Sequence, residues 1–216
     1  MKTKRALIVV DLQKDFCPGG SLAVQDGDKI VPVVNDLLTK FDLVIFTKDW
    51  HHSNMYGFES YQLREYGKHA FETYVNEQGK EDVIWPDHCV ENTEGAEFHP
   101  DLDLSKCKKD FYIFKKGNMP HFHPYSGFAE VNEDNESELG VFLKEKGITE
   151  IYVCGLALDY CVKDTALDGA KLGFDTYVIK NACKAVNSDT TDTYKAFNVE
   201  GVMYADTWVL DYLFQK

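Results

Sequence analysis

Ile151-Tyr152-Val153-Cys154-Gly155-Leu156-Ala157-Leu158-Asp159-Tyr160-Cys161-Val162 reads as a short apolar strand, a glycine-bearing turn and the start of a helix. Val162, Ala166, Ala170 and Gly173 then recur at helical spacing, which is what marks the helix. Cys161 thereby falls at a helix N-terminus. Free backbone N–H groups and the positive end of the helix dipole favour a thiolate there, and the same N–H groups can hold an oxyanion. The alternative is a small buried side chain facing a sheet. The rest of the chain has to separate the two.

Working outward, the same strand-then-helix grammar repeats. Residues 5–10 form a continuous apolar run, as expected of a strand covered on both faces, and the run stops at Asp11. After the turn signal Cys17-Pro18-Gly19-Gly20, residues 28–40 carry Ile30, Val33, Val34, Leu37 and Leu38 on one helical side. Residues 43–47 predict a second strand, which exits into Lys48-Asp49-Trp50-His51-His52. A third strand over 111–114 ends in Lys115-Lys116-Gly117, and a helix over 137–146 follows. The fourth strand is 151–155 with its helix over 161–172, the fifth is 174–179, a helix covers 189–197, and a sixth strand covers 201–205. Strands alternating with helices imply an α/β fold with a mainly parallel, six-stranded, Rossmann-like sheet and helices on both faces, in one domain spanning residues 1–216. Such sheets bind ligands at the C-terminal ends of their strands. Four of those ends carry Asp11, Asp49 with His51, Lys116, and Cys161. That convergence moves Cys161 from a structural towards a catalytic reading.

Composition narrows the classes. A chain of 216 residues with 44% hydrophobic residues can bury a substantial core. A formal net charge of −13 argues against nucleic acid and anionic membrane as partners, since both need a basic surface. The basic start, Met1 to Arg5, is followed by an apolar run only as far as Val10, too short for a signal-peptide core or a membrane span, so a cytoplasmic protein is expected. The cysteines at 17, 89, 107, 154, 161 and 183 are widely spaced with no C-x-x-C, so reduced thiols are expected. Residues 130–138 are acidic and read as a solvated loop. The stretch 53–84 has weak periodicity and many aromatics, and reads as a lid or site-lining excursion.

A cysteine with a carboxylate and a lysine suggests acyl transfer through a thioester. Asp11 would take the thiol proton and return it to an amine leaving group, while Lys116 would stabilise the thiolate and hold Asp11. The competing reading of Asp11 and Lys116 is an ion pair at a sheet edge. Asp49 and His51 stand at i and i+2, on one side of an extended backbone, and His88 can reach them from the long loop. That set suits one divalent ion: zinc, iron or manganese. His121 and His123 form a rival pair at the same spacing, but Pro120 and Pro124 bracket them, and they read as loop histidines.

These residues fall in blocks that resemble the nicotinamidases, the cysteine amidohydrolases of the isochorismatase-like superfamily. The blocks are Val10-Asp11-Leu12-Gln13-Lys14-Asp15-Phe16 with Gly19-Gly20-Ser21-Leu22, then Asp49-Trp50-His51, Trp85-Pro86-Asp87-His88-Cys89-Val90, Lys116-Gly117 with Tyr125-Ser126-Gly127-Phe128, and Gly155 to Val162. The resemblance implies a catalytic triad of Asp11, Lys116 and Cys161, metal ligands Asp49, His51 and His88, and a cis peptide between Leu156 and Ala157. It further implies an oxyanion hole from the backbone N–H groups of Ala157 and Cys161, and a substrate pocket of Phe16, Leu22, Trp85, Tyr125, Leu156 and Tyr160. The reaction implied is nicotinamide plus water to nicotinate plus ammonia, with one zinc-type divalent ion, in salvage towards NAD; the sequence leaves the oligomeric state open, a homo-oligomer included. Rival readings are an isochorismate-like or N-carbamoyl substrate, or a silent metal-binding protein on the same fold. The chain departs from the pattern where Met55 and Gly57 occupy a stretch that often holds a further histidine, at Leu158 where threonine is common, and at His123 where aspartate is expected. The resemblance therefore names no fourth protein ligand for the metal.

Overall fold

Five residues in a row of the first strand, β1 (Arg5–Val10), are buried, as an apolar run without alternation requires when both faces are covered. This is seen in a computed structural model that describes residues 4–76, 79–121 and 123–214; of the basic N-terminal stretch, residues 1–3 lie outside them. The elements that follow are α1 (Val31–Leu38), β2 (Leu43–Asp49), α2 (Glu59–Tyr66), β3 (Thr73–Val75), β4 (Glu81–Val83), β5 (Phe111–Lys116), α3 (Glu138–Glu145), β6 (Glu150–Leu156), α4 (Lys163–Lys171), β7 (Asp175–Lys184), α5 (Thr191–Glu200), β8 (Met203–Ala205) and α6 (Thr207–Leu213). Six strands form one sheet in the order β5-β2-β1-β6-β7-β8. Every neighbouring pair in it is parallel. The expected six-stranded parallel sheet is present.

Both faces of the sheet are covered. On β6, the Ile151 side chain meets Gly169 of α4, where any added Cβ would collide with it. One residue on, the Tyr152 ring lies 5.2 Å from Phe41 and 5.4 Å from Phe214. Alternation along one strand thus feeds two cores, and each large apolar side chain buried there contributes about 1.5–3 kcal/mol.

Strand order sets the position of everything functional. The order runs outward from β1 through β2 to β5 on one side, and from β6 through β7 to β8 on the other. The chain reverses direction of winding between β1 and β6, and the crevice at the C-terminal ends of those two strands is the switch point where such sheets bind ligands. Two parts of the structure go beyond the sequence reading. The 53–84 excursion contains α2 and the small antiparallel pair β3–β4, and the chain closes with α6. No helix among the described residues is long and apolar enough to cross a membrane. All six cysteines are unpaired.

Candidate active site

Asp11 follows β1 with a backbone φ of 46°, a left-handed conformation that a non-glycine residue rarely adopts and that recurs at functional positions. Thr47 near the end of β2 holds it there. The Thr47 hydroxyl donates to Asp11 Oδ1 at 2.6 Å and accepts from the Asp11 N–H at 3.2 Å. Asp11 Oδ2 lies 2.9 Å from Lys116 Nζ, an ion pair buried on both sides. Lys116 also donates to Asp49 Oδ1. Its third contact is the Cys161 Sγ at 3.5 Å. The acceptor atoms of Asp11, Asp49 and Cys161 all lie within 4.8 Å of one another. The expected Asp11, Lys116 and Cys161 are therefore in mutual reach, with Asp49 as a fourth member.

Burial decides the charge states. It raises the Asp11 carboxyl above the usual range, although Lys116 pulls it back. It would raise Asp49 too, but Lys116 and His51 outweigh it and hold that carboxyl well below the usual range. Burial alone would strip the Lys116 proton, and the carboxylates of Asp11 and Asp49 reverse this and push its pKa well up. The Cys161 thiol is pushed well up by burial, with Asp11 and Asp49 adding to the effect and Lys116 opposing it. The bias of a helix N-terminus towards thiolate is outweighed here. Cys161 does sit in the first helical turn, which starts at Leu158, three residues earlier than expected, and closes through Val162 N–H to Ala157 O at 3.1 Å. The dipole of one turn does not overcome full burial beside two carboxylates. The arrangement is a neutral thiol next to a carboxylate made more basic than usual, which is suited to proton transfer at the moment of attack. Leu156–Ala157 is cis, as the resemblance implied. Gly155 before it has φ 120° and lies against the Val10 backbone, where no side chain fits.

The other side of Asp49 faces imidazoles. His51 Nε2 is 3.4 Å and His88 Nε2 3.9 Å from Asp49 Oδ2. Each ring bonds a carbonyl through its other nitrogen: His51 Nδ1 to Gly117 O at 2.8 Å, and His88 Nδ1 to Pro86 O at 2.7 Å. Those bonds put a ring proton on each Nδ1 and turn both Nε2 atoms inward, the orientation typical of metal-binding histidines. Burial lowers His88 to about 4, which keeps it neutral. Two inward-turned imidazole nitrogens beside an ionised carboxylate are a donor set for a divalent ion, so the residues fit the implied metal. Gly117, at φ 76°, lets the backbone pass against the His51 ring, where a Cβ would collide.

His123 is where the sequence reading needs correcting. It does not sit apart in a loop, because its Nε2 is 3.2 Å from His51 Nε2, and one ring nitrogen from each of His51, His88 and His123 lies within 4.8 Å of the other two. The loop after β5 folds back over the strand ends, pinned by Lys116 Nζ to Pro124 O at 3.4 Å and Tyr56 N–H to Pro120 O at 2.8 Å. That fold-back brings His123 to the cluster around Asp49, whose carboxyl it helps to hold low.

A small cavity of about 30 Å3 opens onto Cys161 and Asp49. Phe16, Leu22, Trp85, Tyr125 and Tyr160 line it as expected, with Val24, Val186, Ala157, His88 and His123. Leu156 does not line it; that side chain is fully buried and faces Gly27. Trp85 Nε1–H donates to Tyr125 Oη at 2.9 Å, and Tyr125 donates to Asp82 at 3.1 Å, which ties the 53–84 excursion to the pocket wall. A far larger cavity of about 660 Å3 lies at the opposite end of the sheet, among Lys4, Lys40, Lys108 and Lys109, and contains none of these groups. Chemistry, not volume, marks the site.

Sequence reasoning missed several supports. The buried Gln13 amide donates to Asp49 O at 2.8 Å, and its carbonyl accepts from the Asp49 N–H at 2.8 Å. Asp15 accepts from the Cys89 N–H at 2.7 Å, directly after His88. Thr47 carried a readable signal, since it precedes Asp49 by two residues and so shares its side of β2.

Residues 5–201 match the isochorismatase domain. A nicotinamidase of Acinetobacter baylyi is 44% identical over 182 residues, covering 84% of this chain and 82% of that protein. Among solved structures, a nicotinamidase and pyrazinamidase of Acinetobacter baumanii superposes with a TM-score of 0.88 at 39% identity, over 97% of this chain and 99% of the other. The pyrazinamidase of Pyrococcus horikoshii, solved in complex with zinc, superposes with a TM-score of 0.75 at 36% identity, over 94% and 99%.

Proposed function

The chain belongs to the isochorismatase domain family, and from that premise we propose that it hydrolyses nicotinamide to nicotinate and ammonia through a cysteine thioester, feeding salvage towards NAD. The observation that carries the reading is a buried thiol with a lysine ammonium at 3.5 Å and the Asp11 carboxylate within 4.8 Å. Asp11 takes the thiol proton as Cys161 Sγ bonds to the carboxamide carbon. The oxyanion that forms accepts hydrogen bonds from the backbone N–H groups of Ala157 and Cys161. Asp11 passes its proton to the departing nitrogen, the C–N bond breaks, and ammonia leaves a thioester on Cys161. A water deprotonated by Asp11 then attacks the thioester carbon, and the C–S bond breaks to give nicotinate and the free thiol. Lys116 keeps Asp11 oriented and balances the negative charge that moves between Asp11 and Cys161. Phe16, Leu22, Trp85, Tyr125 and Tyr160 would hold the flat ring and exclude bulk water.

Asp49, His51 and His88 would hold a divalent ion, zinc in this reading. When bound it supplies a Lewis-acidic acceptor for the pyridine nitrogen lone pair, which lies meta to the carboxamide. We further propose that residues 1–216 act as one domain, in the cytoplasm.

The test is ammonia release from nicotinamide by purified, zinc-loaded protein, with benzamide, which lacks the ring nitrogen, as comparison. Hydrolysis of nicotinamide is expected, with benzamide far behind in kcat/KM. No ammonia from a metal-loaded protein would leave a binding protein on this fold. Equal efficiency with the two amides would remove the ring nitrogen from the metal's role.

A further inference from the structure

We infer that His123 is a fourth protein ligand to the metal, completing a set of three imidazoles and one carboxylate with His51, His88 and Asp49. The inference rests on the metal half of the proposed site and goes beyond it.

His51 and His88 each commit Nδ1–H to a backbone carbonyl, so both turn Nε2 inward towards Asp49 and His123. His123 directs its own Nε2 to 3.2 Å from that of His51. If His123 carried its proton on Nε2 it would serve His51 alone. The lone pair of His88 and the Asp49 Oδ2 atom, 3.9 Å apart, would still face each other as two acceptors. A single cation satisfies all four groups at once. Spacing agrees: two donors each about 2.1 Å from one zinc stand roughly 3.4 Å apart at a tetrahedral angle. The structure has 3.2 Å from His51 to His123 and 3.4 Å from His51 to Asp49.

The loop is built to keep the ring there. Pro120 O is held by the Tyr56 N–H and Pro124 O by Lys116 Nζ, one on each side of His123. Pro124 restricts the backbone of the residue before it. The segment after His51 offers no competing nitrogen or oxygen donor at Met55 or Gly57. His123 also borders the small cavity over Cys161. The ligand that completes the metal set is thus part of the substrate wall, and the ring nitrogen of a substrate would enter as a further ligand in an expanded coordination sphere.

The test uses metal alone and no amide. Zinc-loaded wild-type protein is examined by X-ray absorption at the zinc edge, and three coordinated imidazoles are expected; two would overturn the inference. In parallel, chelated protein is titrated with Co2+, following the visible d–d bands. His123→Ala and His123→Asn are expected to weaken Co2+ binding by more than about tenfold, the lower bound for losing even an indirect support of a metal site, and to change band position and intensity. Bands and affinity identical to wild type in both variants would also overturn it. The absorption measurement needs no variant, so a misfolded mutant does not block the result. Three imidazoles in a protein that releases no ammonia would sink the proposed reaction and leave this inference standing, whereas two imidazoles in an active enzyme would do the reverse.

Discussion

At the C-terminal ends of the strands, Asp11, Asp49 and Lys116 are all at most 2% exposed, whereas at the N-terminal ends Asp42 meets Lys108 at 3.4 Å and Lys109 at 3.2 Å with every partner more than half exposed. The residue types are the same and the energetics are opposite. In water, an ion pair gains about 0–1 kcal/mol and either partner can be lost without consequence. In the crevice each charge is tolerated only because the others are present. The lysine keeps the carboxylates ionised, the carboxylates keep the lysine protonated, and removing one strands the rest. The buried set is poor value as glue, but it holds charge where no solvent can neutralise it, which is what proton transfer to and from a thiol requires.

That contrast can be broken or sharpened by substitution. Cys161→Ala carries the largest expected effect: ammonia release is lost altogether while fold and metal content, followed by circular dichroism and metal analysis, stay as in wild type. Comparable turnover in this variant would remove the thioester. Lys116→Met comes next, because it leaves two buried carboxylates without their cation. Urea unfolding of the chelated protein should show a loss of about 3–5 kcal/mol, and a loss under 1 kcal/mol would mean that the crevice behaves like surface. Asp11→Asn should lower turnover by a factor on the order of a hundred or more. The same change should speed alkylation of Cys161 by iodoacetamide at fixed pH. Removing a negative neighbour lowers the raised thiol pKa and so enlarges the thiolate fraction. Slower alkylation together with normal turnover would take Asp11 out of the chemistry. The smallest effect belongs to the far end: Asp42→Ala should shift stability by no more than about 1 kcal/mol and leave kcat/KM unchanged. A clear drop in kcat/KM would show that the two ends are coupled.

The strands and their order of use were legible because burial on both faces leaves an unbroken apolar run, as in β1, and because polar residues stop such runs abruptly, as Asp11 does. The far shorter β3 and β4 and the helix α6 were not read: three-residue strands leave no periodicity, and no element was assigned after residue 205. The meeting of Asp11, Lys116 and Cys161 was legible from their placement at strand ends. Their protonation was not, since a helix N-terminus is a local feature that sequence displays and desolvation is a property of the whole surround. His123 was misread for a related reason. Its flanking prolines speak for a loop, and nothing local says that the loop folds back onto the strand ends. Gln13, whose amide clasps the Asp49 backbone from both sides, is a tertiary fact with no one-dimensional trace.

Asp49 has a consequence for how substitutions combine. One of its oxygens faces Lys116 and the other faces the imidazoles, so Lys116 and the histidine cluster share a counter-ion. Two perturbations that share a counter-ion are not independent, and a double-mutant cycle between His88 and Lys116 should return a non-zero interaction energy. By thermodynamic reciprocity, whatever a cation at the imidazoles does to the proton affinity of Lys116, protonation of Lys116 does in equal measure to the affinity for the cation.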